Sequence, residues 1–208
     1  MKSILYYIHD PMCSWCWGFS ESLSELLVGL PEDIKVQRLL GGLAADSDEI
    51  MPEQMQQSIQ QNWSRIEQTI PNVKFNFDFW QKTAPRRSTY PACRAVITAR
   101  KQGEEFDVKM TTAIQSAYYQ NAKNPSDNDV LISLAEELKL NKQQFAEDLI
   151  SIQVNNLLQE EISFSREMFV ESYPSLVFEH DDEAHSIRVN YTNSKKMLDE
   201  IVGIYQSK

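Results

Sequence analysis

Along most of this chain apolar residues recur every three or four positions, and a few short stretches break that rhythm. From Ser3 to Ile8 the residues are apolar almost without interruption, which predicts a strand covered on both faces. Leu23, Leu26, Leu27 and Leu30 then fall at i, i+3, i+4 and i+7, the stripe of a core-facing helix that Gly29-Leu30-Pro31 ends. Ile34 to Leu40 predicts a second strand. A helix joins it to the first, so the two should be parallel and the crossover right-handed. Gly41-Gly42 breaks the pattern.

From about Ala45 to Ile150 the period is helical throughout, too long for a loop. Met51, Met55, Ile59, Trp63, Ile66 and Ile70 form one stripe before Pro71. Phe75, Phe77 and Phe79 alternate with polar residues and fit either an extended piece or a loop plugging the core. Ser88-Thr89-Tyr90-Pro91 reads as a helix start and Gly103 as that helix's end. Further helices carry Phe106 to Tyr118, then Val130 to Leu138 with Ser126 as cap, then Phe145 and Leu149 after Asn141. These methionine and aromatic stripes are explained by amphipathic packing and need no cofactor.

The chain returns through a helix bearing Val154, Leu157, Leu158 and Ile162. Tyr173 to Phe178 and the alternating Ile187, Val189 and Tyr191 flank a turn at Asp181-Asp182-Glu183, which predicts a β-hairpin with His180 and His185 as surface residues. Met197, Leu198, Ile201, Val202 and Tyr205 make the closing helix.

Between the first strand and the first helix stands His9-Asp10-Pro11-Met12-Cys13-Ser14-Trp15-Cys16-Trp17-Gly18-Phe19. Two cysteines three apart can open and close a disulfide with little backbone movement. Cys13 falls at the helix entrance, where free N–H groups and the positive end of the dipole favour a thiolate. Cys16 lies one turn inside on the same face, as the resolving thiol. Ser14 is placed to donate a hydrogen bond to the thiolate and Trp15 to offer substrates an apolar face. His9 and Asp10 either modulate the Cys13 thiol or relay a proton, or Asp10-Pro11 simply builds the turn. The rival zinc reading lacks ligands, since Cys93 and three histidines are the only other soft donors. Cys93 reads as a small buried hydrophobe.

Asp-Pro-Met-Cys-Ser-Trp-Cys-Trp-Gly-Phe resembles the active-site segment of the DsbA-like branch of the thioredoxin superfamily, in particular its cytosolic FrnE-like protein-disulfide isomerases. The resemblance implies an α/β fold: a thioredoxin-like domain from 1–44 and 151–208, interrupted at 45–150 by an all-helical insertion. It implies a thiol-disulfide oxidoreductase using Cys13 and Cys16, with a cis proline at Pro174 that, with Tyr173, positions an extended peptide. In similar proteins the segment Pro85 to Tyr90 comes near the redox motif, so Arg86 and Arg87 meet a glutathione or peptide carboxylate or stand as plain surface charges. No cofactor is implied; glutathione enters only as a redox partner, and protein or small-thiol disulfides are the substrates. Two other classes stay open. Kappa-type glutathione transferases and hydroxychromene-carboxylate isomerases share the insertion but carry serine in place of the first cysteine, and a non-catalytic peptide-binding module would keep Pro174 without needing the pair.

The net charge of −10 and a pI near 4.8, with no Lys/Arg cluster, speak against nucleic-acid and anionic-membrane partners. No stretch approaches the ~18 consecutive apolar residues of a membrane span. Met1-Lys2-Ser3 leads straight toward the first strand without a signal-like segment, and three cysteines suit a reducing compartment, so the sequence predicts a cytoplasmic protein. It leaves the oligomeric state open.

Overall fold

In the computed structural model, which describes residues 3–207, four strands form one sheet in the order β2-β1-β3-β4. β1 (Ser3–His9) pairs in parallel with β2 (Lys35–Leu40) and antiparallel with β3 (Ser175–His180), and β4 (Glu183–Ile187) closes the edge against β3. α1 (Ser14–Gly29) makes the crossover that a parallel pair requires. Alternation along β1 sorts its side chains onto two faces. Leu5 and Tyr7 pack with Phe19, Leu23 and Leu26 of α1 and with Met197 and Ile201 of α9 (Ser194–Gln206). Ile4, Tyr6 and Ile8 pack with Leu39, Val177 and Phe164, the last from α8 (Ile152–Glu167). Every residue of β1 is buried, as its unbroken apolar run requires.

Between β2 and α8 lie α2 (Glu53–Thr69), the short α3 (Phe79–Lys82), α4 (Tyr90–Arg100), α5 (Phe106–Tyr119), α6 (Asn128–Glu137) and α7 (Lys142–Leu149). Among the described residues of 45–150 the only β pairing is a single bridge, Ile50 to Arg86. The result is the α/β layout of a thioredoxin fold carrying a helical insertion. Residues 1, 2 and 208 of the expected core segments lie outside the described residues, and so does the start of the Met1-Lys2-Ser3 run. Among the described residues no helix is long and apolar enough to cross a membrane.

Four local expectations are corrected. Ser126 does not cap α6; it is buried and its hydroxyl donates to the Ser88 carbonyl at 2.7 Å, which leaves Asp127 at the cap. The outer strand of the hairpin is Glu183–Ile187, not a strand continuing to Tyr191, because Asp181 and Asp182 both take positive φ and turn the chain in two residues. Val189 and Tyr191 lie beyond it, and Tyr191 packs on Trp15 and Phe19. His180 is half-buried rather than a surface residue, bonded to Ser3 and flanked by Phe178 and Tyr205. Finally, the stripe from Met51 to Ile70 is not buried throughout: Met51, Trp63, Ile66 and Ile70 are buried, with Phe75, Phe79, Tyr118 and Tyr119 around the Trp63 ring, Ile59 is half-buried, and Met55 stays exposed. Phe75 and Phe77 precede α3 as loop, and Phe79 is its first residue.

Candidate active site

The loop between β1 and α1 is built by Asp10. Its Oδ1 accepts the Met12 N–H at 2.8 Å, and its carbonyl accepts the Cys13 N–H at 3.0 Å, an Asx-type turn that sets Cys13 as the N-terminal cap residue of α1. Its Oδ2 accepts from the Leu43 N–H at 2.7 Å, the Thr89 hydroxyl at 2.6 Å and the Cys93 thiol at 3.4 Å. One carboxyl group therefore ties the redox loop, the exit of β2 and the start of α4. Full burial raises the Asp10 pKa above the ordinary carboxylate value, and these hydrogen bonds oppose the rise.

Cys13 and Cys16 lie 3.3 Å apart, and both are free thiols. They differ in surroundings. Cys13 opens on a cleft of about 300 Å³ that Ser14, Trp15, Arg86, Arg87 and Tyr173 also line. Cys16 is not part of that cleft; burial, followed by the neighbouring Cys13, pushes its thiol well above the usual range. The Cys13 thiol donates to the Tyr173 carbonyl at 3.4 Å, and the Tyr173–Pro174 peptide is cis. Burial moves the Tyr173 hydroxyl to about 12, so at neutral pH it is protonated and donates to the Gly41 carbonyl at 2.7 Å. A side chain on Gly41 would collide with that ring, its Cβ falling 2.0 Å from Cε1.

Most of the residues singled out in the sequence converge here. Trp15 stands half-buried at the cleft, its ring 5.2 Å from Tyr191 with the Arg65 guanidinium 5.6 Å above it. Ser14 lines the cleft beside Cys13 and makes no side-chain hydrogen bond to it. Arg86 is anchored to Asp127 and the Ser126 carbonyl, whereas Arg87 is exposed and without an ion-pair partner among the described residues. His9 does not join the site. Its ring stacks on Tyr7 at 4.7 Å and its Nε2 meets the Arg38 guanidinium at 3.2 Å, on the same face of β1 as Tyr7. Burial, then Arg38 and Arg100, holds its pKa well below the ordinary value, so it is neutral.

Sequence reasoning missed three participants. Thr89 was read only as a helix start, yet its hydroxyl takes the Ala44 N–H and gives its own proton to Asp10. Cys93 is buried as expected, but its thiol is also a ligand of that carboxyl group. Tyr7 lines, together with Cys16, a cavity of about 280 Å³ separate from the cleft, and burial raises its hydroxyl pKa well above the ordinary value. A polar tip in the middle of a buried apolar strand was the available signal.

A thioredoxin family model matches residues 6–200. Among curated proteins the chain is 25% identical to the ClpXP adapter protein SpxH of Halalkalibacterium halodurans over 182 residues, 86% of this chain and 59% of that protein. The chain thus spans about three fifths of that relative's length. Among solved structures it is similar to a candidate protein disulfide isomerase from Nitrosomonas europaea, with TM-score 0.82, 22% identity, and 99% and 98% of the two chains covered. It is also similar to the cytosolic disulfide reductase DsbM from Pseudomonas aeruginosa, with TM-score 0.74, 20% identity and 96% and 94% covered, a protein also solved with GSH.

Proposed function

The chain belongs to the thioredoxin family as a DsbA-like member, and from that premise we propose that it is a thiol-disulfide oxidoreductase working through Cys13 and Cys16. The observation that carries this reading is the asymmetric pair: two free thiols 3.3 Å apart at the first turn of α1, one opening on a cleft and the other buried behind it. The Cys13 thiolate attacks one sulfur of a substrate disulfide, whose S–S bond breaks, and the departing sulfur takes up a proton. Cys16 then loses its proton and attacks Cys13. The second substrate sulfur leaves with its electron pair, and the Cys13–Cys16 disulfide holds the oxidation; run backward, the same steps oxidise a dithiol.

An extended peptide or a small thiol lies in the cleft against Trp15 and Tyr173, next to the cis bond to Pro174, with Arg87 free to meet a carboxylate. Glutathione is the redox partner that this arrangement suits, and a cytoplasmic setting suits three free cysteines.

Turnover of insulin and of glutathione disulfide tests the reading. Cys13→Ser abolishes it, and Cys16→Ser accumulates a mixed disulfide on Cys13. Undiminished turnover in Cys13→Ser would refute it. A second reading, a protein-binding adapter, is favoured by the likeness to the ClpXP adapter protein SpxH. It requires that Cys13→Ser, inactive as an oxidoreductase, still binds its protein partner at wild-type affinity.

A further inference from the structure

α8 ends in a turn that suits glycine, and an aromatic residue occupies it. The Val170 N–H donates to the Ser165 carbonyl at 3.1 Å and the Phe169 N–H to the Arg166 carbonyl at 2.9 Å, the paired bonds that close a helix around a left-handed residue. Phe169 is that residue, with φ 59°. The position favours glycine or asparagine, and a bulky side chain there is strained. The core gives nothing in return. Val170 turns into the buried cluster with Ile4, Tyr6 and Ile8, whereas Phe169 is 93% exposed, the only exposed aromatic among the described residues. A lone exposed apolar side chain is ordinary. One that also holds a left-handed backbone departs twice from local preference, as functional positions do.

Phe169 stands two residues, at most about 7 Å of backbone, before Glu171, and Glu171, Ser172 and Tyr173 line the cleft on which Cys13 opens. That cleft, of about 300 Å³, lies at the lower end of the range for small-ligand pockets, and Trp15, Met51 and Ile59 give it an apolar wall. A polypeptide whose disulfide reaches Cys13 therefore runs out over the rim, and the segment 169–173 is part of that rim.

We propose that Phe169 is a specificity-determining residue: it anchors apolar side chains of a polypeptide disulfide where the chain leaves the Cys13 cleft, and so favours protein substrates over glutathione disulfide. The proposal rests on the oxidoreductase reading and deepens it. Covering the ring removes apolar area from water, and a phenylalanine on a backbone already fixed by two hydrogen bonds loses little freedom in doing so. Glutathione has no apolar side chain for the ring to hold. Phe169 makes no contact with the reacting sulfurs in this account, so the exchange at Cys13 and Cys16 proceeds alike with either substrate.

The test times the loss of free thiols when the reduced protein meets insulin or glutathione disulfide, in wild type, Phe169→Gly, Phe169→Asn and Phe169→Trp, with thermal unfolding alongside. Removing an aromatic anchor slows the reaction of the Gly and Asn variants with insulin at least about fivefold and leaves that with glutathione disulfide within about twofold of wild type. Phe169→Trp, which keeps a ring, keeps the insulin rate. Phe169→Asn, which suits the left-handed backbone without glycine's freedom in the unfolded chain, holds or raises Tm. Insulin rates within about twofold of wild type in both the Gly and Asn variants overturn the anchor. Equal slowing on both substrates, or a Tm lowered by about 4 °C or more in Phe169→Asn, overturns it too, because either marks a packing role. Wild type that reacts with glutathione disulfide and not with insulin overturns the anchor alone. Wild type that reacts with neither overturns the oxidoreductase reading, and the anchor with it.

Discussion

Gly41→Ala is a test of how the site is locked to the sheet. Gly41 sits just past β2, its N–H fixed by the His9 carbonyl at 2.8 Å, so its backbone cannot retreat without breaking the end of the β1–β2 pairing. An added Cβ would lie 2.0, 2.2 and 2.6 Å from Cε1, Cζ and Oη of Tyr173. The ring must therefore swing out, losing its hydrogen bond to the Gly41 carbonyl and disturbing the backbone carbonyl that receives the Cys13 thiol. Overpacking of this kind costs about 1–3 kcal/mol and the lost hydrogen bond about 1 more, so the variant loses roughly 2–4 kcal/mol. For a chain of this size that lowers Tm by roughly 4–16 °C.

Thermal unfolding followed by circular dichroism reads the stability, and the rate of Cys13 alkylation reads the site. The decisive measurement is the double-mutant cycle with Tyr173→Ala. Once the ring is gone the methyl has room, and the cost of Gly41→Ala falls below about 1 kcal/mol, a coupling of at least 1 kcal/mol. An equal cost in both backgrounds would refute the account, because the penalty would then come from the backbone at residue 41 and not from the tyrosine.

Three further outcomes follow from buried groups. His9 is neutral in the fold and protonated in the unfolded chain below its ordinary value near 6.5, so stability falls as pH drops through 6.5 by about 1.4 kcal/mol per pH unit. Urea unfolding of wild type against His9→Phe between pH 7 and 5 shows that slope in the first and loses it in the second. Arg100→Met strips Glu161 of its guanidinium and leaves Asp107 with Arg38 alone, which costs about 3 kcal/mol in the same assay. Trp63→Ala removes the ring at the centre of the insertion's aromatic cluster and costs about 3–5 kcal/mol; a loss under 1 kcal/mol would mean that the cluster does not organise that region.

How much of this was legible in the chain depended on the range of the interaction. Periodicity reports local geometry, so the β1-α1-β2 unit, α4 to α9 and the Cys13–Cys16 pair could be read directly. The outer hairpin strand was misplaced by several residues because Ile187, Val189 and Tyr191 keep the alternation beyond the pairing; the turn residues Asp181 and Asp182 decide where β4 starts. His9 was legible as a titratable group beside the motif but not as to direction. Strand alternation alone settles that, since His9 shares the face of Tyr7 and Leu5.

Partnerships across long separations were not legible at all, and they are what assemble the site. Asp10 meets Thr89 and Cys93 across 79 and 83 residues, Arg38 meets Asp107 across 69, and the Leu40 N–H meets Glu161 across 121. Each joins the strand layer to a helix of the insertion or to the helix that follows it. None alters a hydrophobic period, so a pattern that divides the chain into core and insertion hides them. Buried polar groups cost free energy unless every partner is present. Truncating either segment would therefore leave Asp10, Asp107 or Glu161 exposed to that penalty, and the chemistry at Cys13 depends on the insertion through the same carboxyl group that builds its loop.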